Sequence, residues 1–190
     1  YFLNIQYHTK KNLKKRVINR TKKIFSPKLS KIKPDFLITG GIKAEEFQKG
    51  QLDNSTTIIR AHAFDYDRYL EENSDSISNS FSTEGSYAVF LDSYICFHPD
   101  FLLAGLNPHC KEEIYFQEIN NFFSNFTDQN RMKVVVAAHP RSDSKLQEKL
   151  FQGREIVKKK VVSAVKKAEV VLTHSSTAIN FAILYNNIIF

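Results

Sequence analysis

Two stretches of this chain end in groups suited to holding a phosphate. The first is Lys133-Val134-Val135-Val136-Ala137-Ala138-His139-Pro140-Arg141-Ser142-Asp143, and the second is Glu169-Val170-Val171-Leu172-Thr173-His174-Ser175-Ser176-Thr177-Ala178. In the first, the His139 imidazole can donate to an anion, Pro140 fixes the turn, and the Arg141 guanidinium can grip two phosphate oxygens at once. In the second, His174 is followed by three hydroxyls at the expected opening of a helix. Free N–H groups and the positive end of the helix dipole would face an anion there. Ser175, Ser176 and Thr177 equally suit an N-cap, and one hydroxyl can cap while its neighbours face a ligand.

Carboxylates supply the second kind of chemistry. Asp92 closes the run Tyr87-Ala88-Val89-Phe90-Leu91-Asp92, and His98-Pro99-Asp100 follows on an expected loop. A carboxylate at the end of a strand can act as a general base or a nucleophile, or can cap the loop that follows. Asp65-Tyr66-Asp67 has the spacing of a metal-binding DxD, but the same residues suit the start of a helix from Tyr66 to Glu72. His62 and Asp65 are candidates for lining a cleft, as is His98. No metal site is expected.

The elements that position these groups read as alternating strands and helices. Short, continuously apolar, largely β-branched runs suggest buried parallel strands. They fall at residues 34–39, 56–60, 87–92, 134–138 and 170–173, with a final apolar run Ile188-Ile189-Phe190. Helices are expected from Glu112 to Phe126, from Ser144, around Val161 to Lys167 and from Ser176. This alternation implies an α/β fold with Rossmann-like, doubly wound parallel sheets, in which ligands bind beyond the carboxyl ends of the strands. The serine-rich stretch 73–86 reads as a linker, giving residues 1–80 as part of an N-terminal domain and 85–190 as part of a C-terminal nucleotide-binding domain. No strands precede residue 35 and the chain stops at an apparent strand, so an incomplete chain is expected.

Charge is unevenly spread. The 190 residues carry a net +7, yet the first 34 hold eleven Lys and Arg and no acid, so the remainder is mildly acidic. Leu13, Val17, Thr21 and Ile24 recur at helical spacing within this segment, as in a basic amphipathic helix near an anionic membrane surface. A solvated helix face has the same pattern. Nucleic acid is not expected as a partner, because no recognised nucleic-acid module accompanies the charge. No run approaches the roughly 18 apolar residues of a membrane-spanning helix, and no signal-peptide core is evident. The expected location is cytoplasmic, peripheral at the inner face of the cell membrane. Cys96 and Cys110 form neither a CxxC nor a zinc spacing, so reduced, unpaired thiols are expected.

The segments Phe90–Asp100, Ala137–Arg141 and Thr173–Ala182 together resemble the nucleotide-sugar half of bacterial GT-B glycosyltransferases of surface polysaccharide synthesis, such as capsule or O-antigen. The resemblance covers roughly residues 85–190. The His-Pro and Ser-Ser pairs are similar to motifs of bacterial sialyltransferases that hold the phosphate of a CMP-linked sugar, which implies that role for His139, Pro140, Ser175 and Ser176. The Asp/Glu-Asp-Gly motif that supplies the base in those enzymes does not occur here. The resemblance implies a metal-independent transferase without a cofactor, moving a sugar from a nucleotide-sugar to a glycan or lipid-linked acceptor. His139, Arg141, His174, Ser175, Ser176 and Thr177 would hold the donor phosphate, and Asp92 would be the catalytic carboxylate. A polymerase using a CDP-linked alcohol phosphate would need a similar cradle. A non-catalytic polyanion-binding domain would use the same histidines structurally.

Overall fold

The computed structural model describes residues 34–74, 81–108 and 110–190, so the basic segment 10–33 lies outside the described residues. The chain divides after Ala61 into two compact units.

In the first unit, β1 (Phe36–Thr39) leads through Gly41 into α1 (Ile42–Gln48) and a short 3-10 turn (Lys49–Gln51), and β2 (Thr57–Arg60) returns parallel to β1. Gly41 makes this turn at φ 147°, a conformation that a side chain would strain. The Thr56 hydroxyl donates to the Pro34 carbonyl at 2.8 Å, and Arg60 pairs with Glu45 at 3.0 Å.

The second unit contains α2 (Phe64–Asn73), β3 (Tyr87–Leu91), α3 (Pro99–Leu103), α4 (Glu112–Asn130), β4 (Lys133–Ala137), α5 (Ser144–Leu150), β5 (Ile156–Val157), α6 (Val161–Lys167), β6 (Val170–Thr173), α7 (Ile179–Leu184) and β7 (Ile188–Ile189). Its five strands form one parallel sheet in the order β5-β4-β3-β6-β7. The first strand is therefore central, and the chain winds outward from it in both directions. That is the doubly wound strand order, with its reversal between β3 and β6.

Both faces of the sheet are covered, which explains why its strands read as continuous apolar runs rather than as alternating ones. Tyr87, Val89, Leu91, Val135, Ala137 and Val171 point to one face, where α6 supplies Ala164 and Val165 and α7 supplies Phe181 and Ala182. Ala88, Phe90, Val134, Val136 and Leu172 point to the other, against Phe116, Ile119 and Phe123 of α4 and Phe151 after α5. Phe90 meets Phe123 and Phe151 edge-on at 5.0 and 6.1 Å, contacts worth about 0.5–1.5 kcal/mol each beyond area burial. α4 presents Phe116, Ile119, Asn120 and Phe123 at the spacing of one helical face and stops where Arg131 turns left-handed at φ 55°. Among the described residues no helix is long and apolar enough to cross a membrane.

The structure departs from the sequence reading in places. The units separate at Ala61, not in the serine-rich stretch, because α2 packs on α6 and α7 within the second unit. Phe81, read as linker, is buried in the core, and its N–H donates to Ser163 Oγ at 2.8 Å. The expected loop at His98-Pro99-Asp100 runs into α3, with Pro99 at its first position, where the missing N–H costs nothing. α1, α3 and β5 were not foreseen, each being too short to show a period. The final helix was expected from Ser176 and begins at Ile179.

Candidate functional site

Beyond the carboxyl ends of β3, β4, β5 and β6 the second unit opens a cleft of about 380 Å³. Asp92, His139 and Pro140 line it from the ends of β3 and β4, Lys158 and Lys159 from the end of β5, and Ser176 and Thr177 from the segment after β6. Phe64, Asp65 and Arg68 of α2 complete it.

Asp92 follows the central strand β3. Its N–H donates to the Ala137 carbonyl at 3.0 Å, continuing the ladder between β3 and β4 by one residue. The chain then turns through Tyr94, held left-handed at φ 53°, so that the Tyr94 N–H donates to Asp92 Oδ1 at 2.9 Å. The side chain is buried, and Oδ2 has no hydrogen-bond partner among the described residues. Burial pushes the Asp92 pKa above the ordinary carboxylate range, against the opposing pull of the Tyr94 and His139 N–H groups. A buried acceptor with an unused lone pair carries a desolvation cost that a donor from a ligand would relieve.

His139 is held by its own turn. The Arg141 N–H donates to His139 Nδ1 at 3.2 Å, which places the ring proton on Nε2. Ser142 returns both its N–H (3.0 Å) and its hydroxyl (2.7 Å) to the His139 carbonyl, and Lys158 Nζ donates to the Ser142 carbonyl. Tyr94 stacks on the ring at 5.6 Å, and His98 meets its edge at 5.1 Å. Burial lowers the His139 pKa, and the charges of His98, Arg141 and Lys158 lower it further, partly offset by Asp100. The ring is therefore a neutral Nε2–H donor at pH 7.

His98 repeats this arrangement, since the Asp100 N–H donates to His98 Nδ1 at 3.3 Å. The two His-Pro turns lie against each other, with Arg141 Nη1 3.9 Å from Asp100 Oδ1. Arg141 is thereby turned to an exposed carboxylate and does not line the cleft.

The segment after β6 differs from expectation more sharply. The N–H groups of Ile179, Asn180 and Phe181 already donate to the carbonyls of Ser176, Thr177 and Ala178. Ser176 Oγ accepts from the Ala178 N–H at 3.4 Å, and the Ser176 N–H donates to Thr173 Oγ1 at 3.4 Å. The six-residue helix thus has its leading amides engaged by backbone carbonyls, with no side-chain cap, and the Ser176 hydroxyl is used in the turn before it. Ser176 and Thr177 line the cleft; Ser175 and His174 do not. His174 lies on the α4 face, edge-on to Phe90 at 5.4 Å, with Nδ1 3.5 Å from the Tyr115 hydroxyl. Partial burial there lowers its pKa.

Of the remaining candidates, Asp65 lines the cleft and accepts from Asn180 Nδ2 at 2.7 Å, whereas His62 pairs with Asp67 at 3.5 Å and lies outside it. Asp65 and Asp67 fall in the first turn of α2, as the helical reading of that stretch required. Among the described residues no group of three or more His, Cys, Asp or Glu side chains could hold a metal ion.

Sequence reasoning missed Lys158, Lys159 and Arg68. The signal was present in Lys158-Lys159-Lys160, but a two-residue strand before it gave no periodicity to mark the run as a strand end. Comparison with protein-family models, with curated proteins and with solved structures finds no match.

Proposed function

We propose that this chain is a glycosyltransferase of the GT-B type, with the second unit on the donor side, moving a sugar from a nucleotide-sugar, such as a CMP-linked one, to a glycan or lipid-linked hydroxyl. The observation that carries this reading is Asp92, buried with Oδ2 unpartnered in a cleft that Lys158, Lys159, Arg68 and His139 also line. A carboxylate of raised pKa that shares a cleft with cations and a neutral donor suits a reaction in which one oxygen loses a proton while another leaves as phosphate.

In this scheme Lys158, Lys159 and the His139 Nε2–H hold the donor phosphate and stabilise the negative charge that grows on it as the sugar–phosphate bond breaks. Asp92 accepts the proton of the attacking hydroxyl, and its raised pKa brings its basicity nearer neutral pH than that of an ordinary Asp. Ser176 and Thr177 contact the donor from the opposite side. The scheme calls for no metal or cofactor and no nucleic acid. Attachment to an anionic membrane through residues 10–33 belongs to the same proposal, with the enzyme at the inner face of the membrane that carries its acceptor.

Isothermal titration of the full chain with CMP, CDP, UDP and GDP tests the reading directly. One nucleotide should bind, and binding should weaken at least tenfold in Lys158→Gln/Lys159→Gln. Absence of binding to all four overturns it.

A further inference from the structure

Cys96 and Cys110 are fourteen positions apart, yet their sulfurs are 3.2 Å from each other, within van der Waals contact. They are the chain's two cysteines, and both are free thiols. Cys96 is buried in the turn after β3, packed on the α4 face of the sheet, and Cys110 is partly exposed just before α4. Closing the gap to a covalent bond of about 2.05 Å requires a shift of about 1 Å, within the reach of χ1 rotations in a turn. One member of the pair, Cys110, is partly exposed.

The geometry points to a reversible dithiol–disulfide pair that fastens the segment bearing His98 and α3 beside the cleft. The oxidant is a low-molecular-weight disulfide. The Cys110 thiolate, its proton given to solvent, attacks one sulfur of that disulfide and expels a small thiolate, which takes a proton from solvent. Cys96 then attacks Cys110 Sγ in the mixed disulfide and expels the second small thiolate, which receives the Cys96 proton. The protein loses two hydrogens, and the small disulfide becomes two thiols. Cys110 reacts first because it is reachable. Burial, aided by the neighbouring Cys110 sulfur, holds the Cys96 thiol protonated, so Cys96 serves as the resolving partner.

The loop so closed carries His98, whose ring abuts His139, and ends at the start of α4, where Tyr115 faces His174. Oxidation therefore fixes the outer side of the cleft wall. The inference is independent of the proposed transferase activity, because its readouts are mass and connectivity.

The full chain is equilibrated in oxidised and reduced glutathione, alkylated and weighed intact. The expected product loses two hydrogens and takes no label, regains two labels after reduction, and melts several degrees higher than the reduced chain. Chymotrypsin provides a second measurement, since Leu103 and Leu106 are exposed inside the loop. Fragments cut there should stay joined until reductant is added. Cys96→Ser should stop at a single glutathione adduct on Cys110. Two labels retained in oxidising buffer, or disulfides found only between chains, would overturn the pair.

Discussion

The two walls of the cleft began as motifs of similar promise, and the fold treats them in opposite ways. On the β4–β5 side, a proline turn, two Ser142 hydrogen bonds and Lys158 hold His139 with Nε2–H as its free donor. On the β6 side, the Ser176 hydroxyl and the amides of Ser176 and of Ala178 to Phe181 are already engaged within the turn and the start of α7. A polar group recognises a ligand only with capacity left after the backbone is satisfied. The first wall keeps the His139 ring donor, and the second has most of its amides engaged.

The most severe test of this contrast removes what the walls surround. Asp92→Asn keeps the shape and discards the carboxylate, so under the proposed scheme turnover should fall by about 10²–10⁴-fold with nucleotide affinity nearly unchanged. The same change separates catalysis from stability. The folded pKa of Asp92 is raised, so between the unfolded and folded values the native chain binds a proton that the unfolded chain releases, and stability falls as pH rises through that window. Asp92→Asn should therefore unfold at higher denaturant than the parent at neutral pH, with the advantage vanishing in acid. A variant both inactive and less stable would mark Asp92 as structural.

A smaller effect separates the walls themselves. Charge-assisted hydrogen bonds contribute about 1.5–3 kcal/mol, so Lys158→Gln/Lys159→Gln should weaken nucleotide binding by about 10–100-fold. Ser175→Ala/Ser176→Ala removes one turn hydrogen bond and a side chain outside the cleft, and titration should show less than about a threefold change, with a stability loss of about 1 kcal/mol. Equal losses in the two double variants would break the contrast. The smallest effect belongs to Arg141, paired with Asp100 at the exposed rim. Arg141→Lys should retain turnover within about twofold, since the surrendered fork faces a surface carboxylate.

What the sequence revealed and what it hid follow from the same physics. Strands β4 (Lys133–Ala137) and β6 (Val170–Thr173) were legible because strands covered on both faces are largely apolar. α4 was legible because nineteen residues repeat one face several times. β5 was not, since two residues carry no period, and with it went the strand end that places Lys158 and Lys159. His139, Asp92, Ser176 and Thr177 could be assigned to the carboxyl edge from pattern alone. That His174 would turn to the α4 face while Ser176 entered the cleft depends on which side of the sheet each residue leaves β6, and Phe90 and Tyr115 decide that only in three dimensions.

The central position of β3 also governs how the chain acquires its structure. β3 is the first strand of its sheet to leave the ribosome, but its neighbours arrive late, as Ala88 pairs with Val134 on one side and with Val170 on the other. Until β6 emerges, one edge of Tyr87–Leu91 has no ladder partner, and that five-residue stretch is apolar on both faces. Pairings so distant in sequence slow folding and leave a strand edge open to other chains. Refolding yield should accordingly fall with protein concentration, and slower translation through residues 92–169 would prolong the interval in which nascent chains depend on a chaperone.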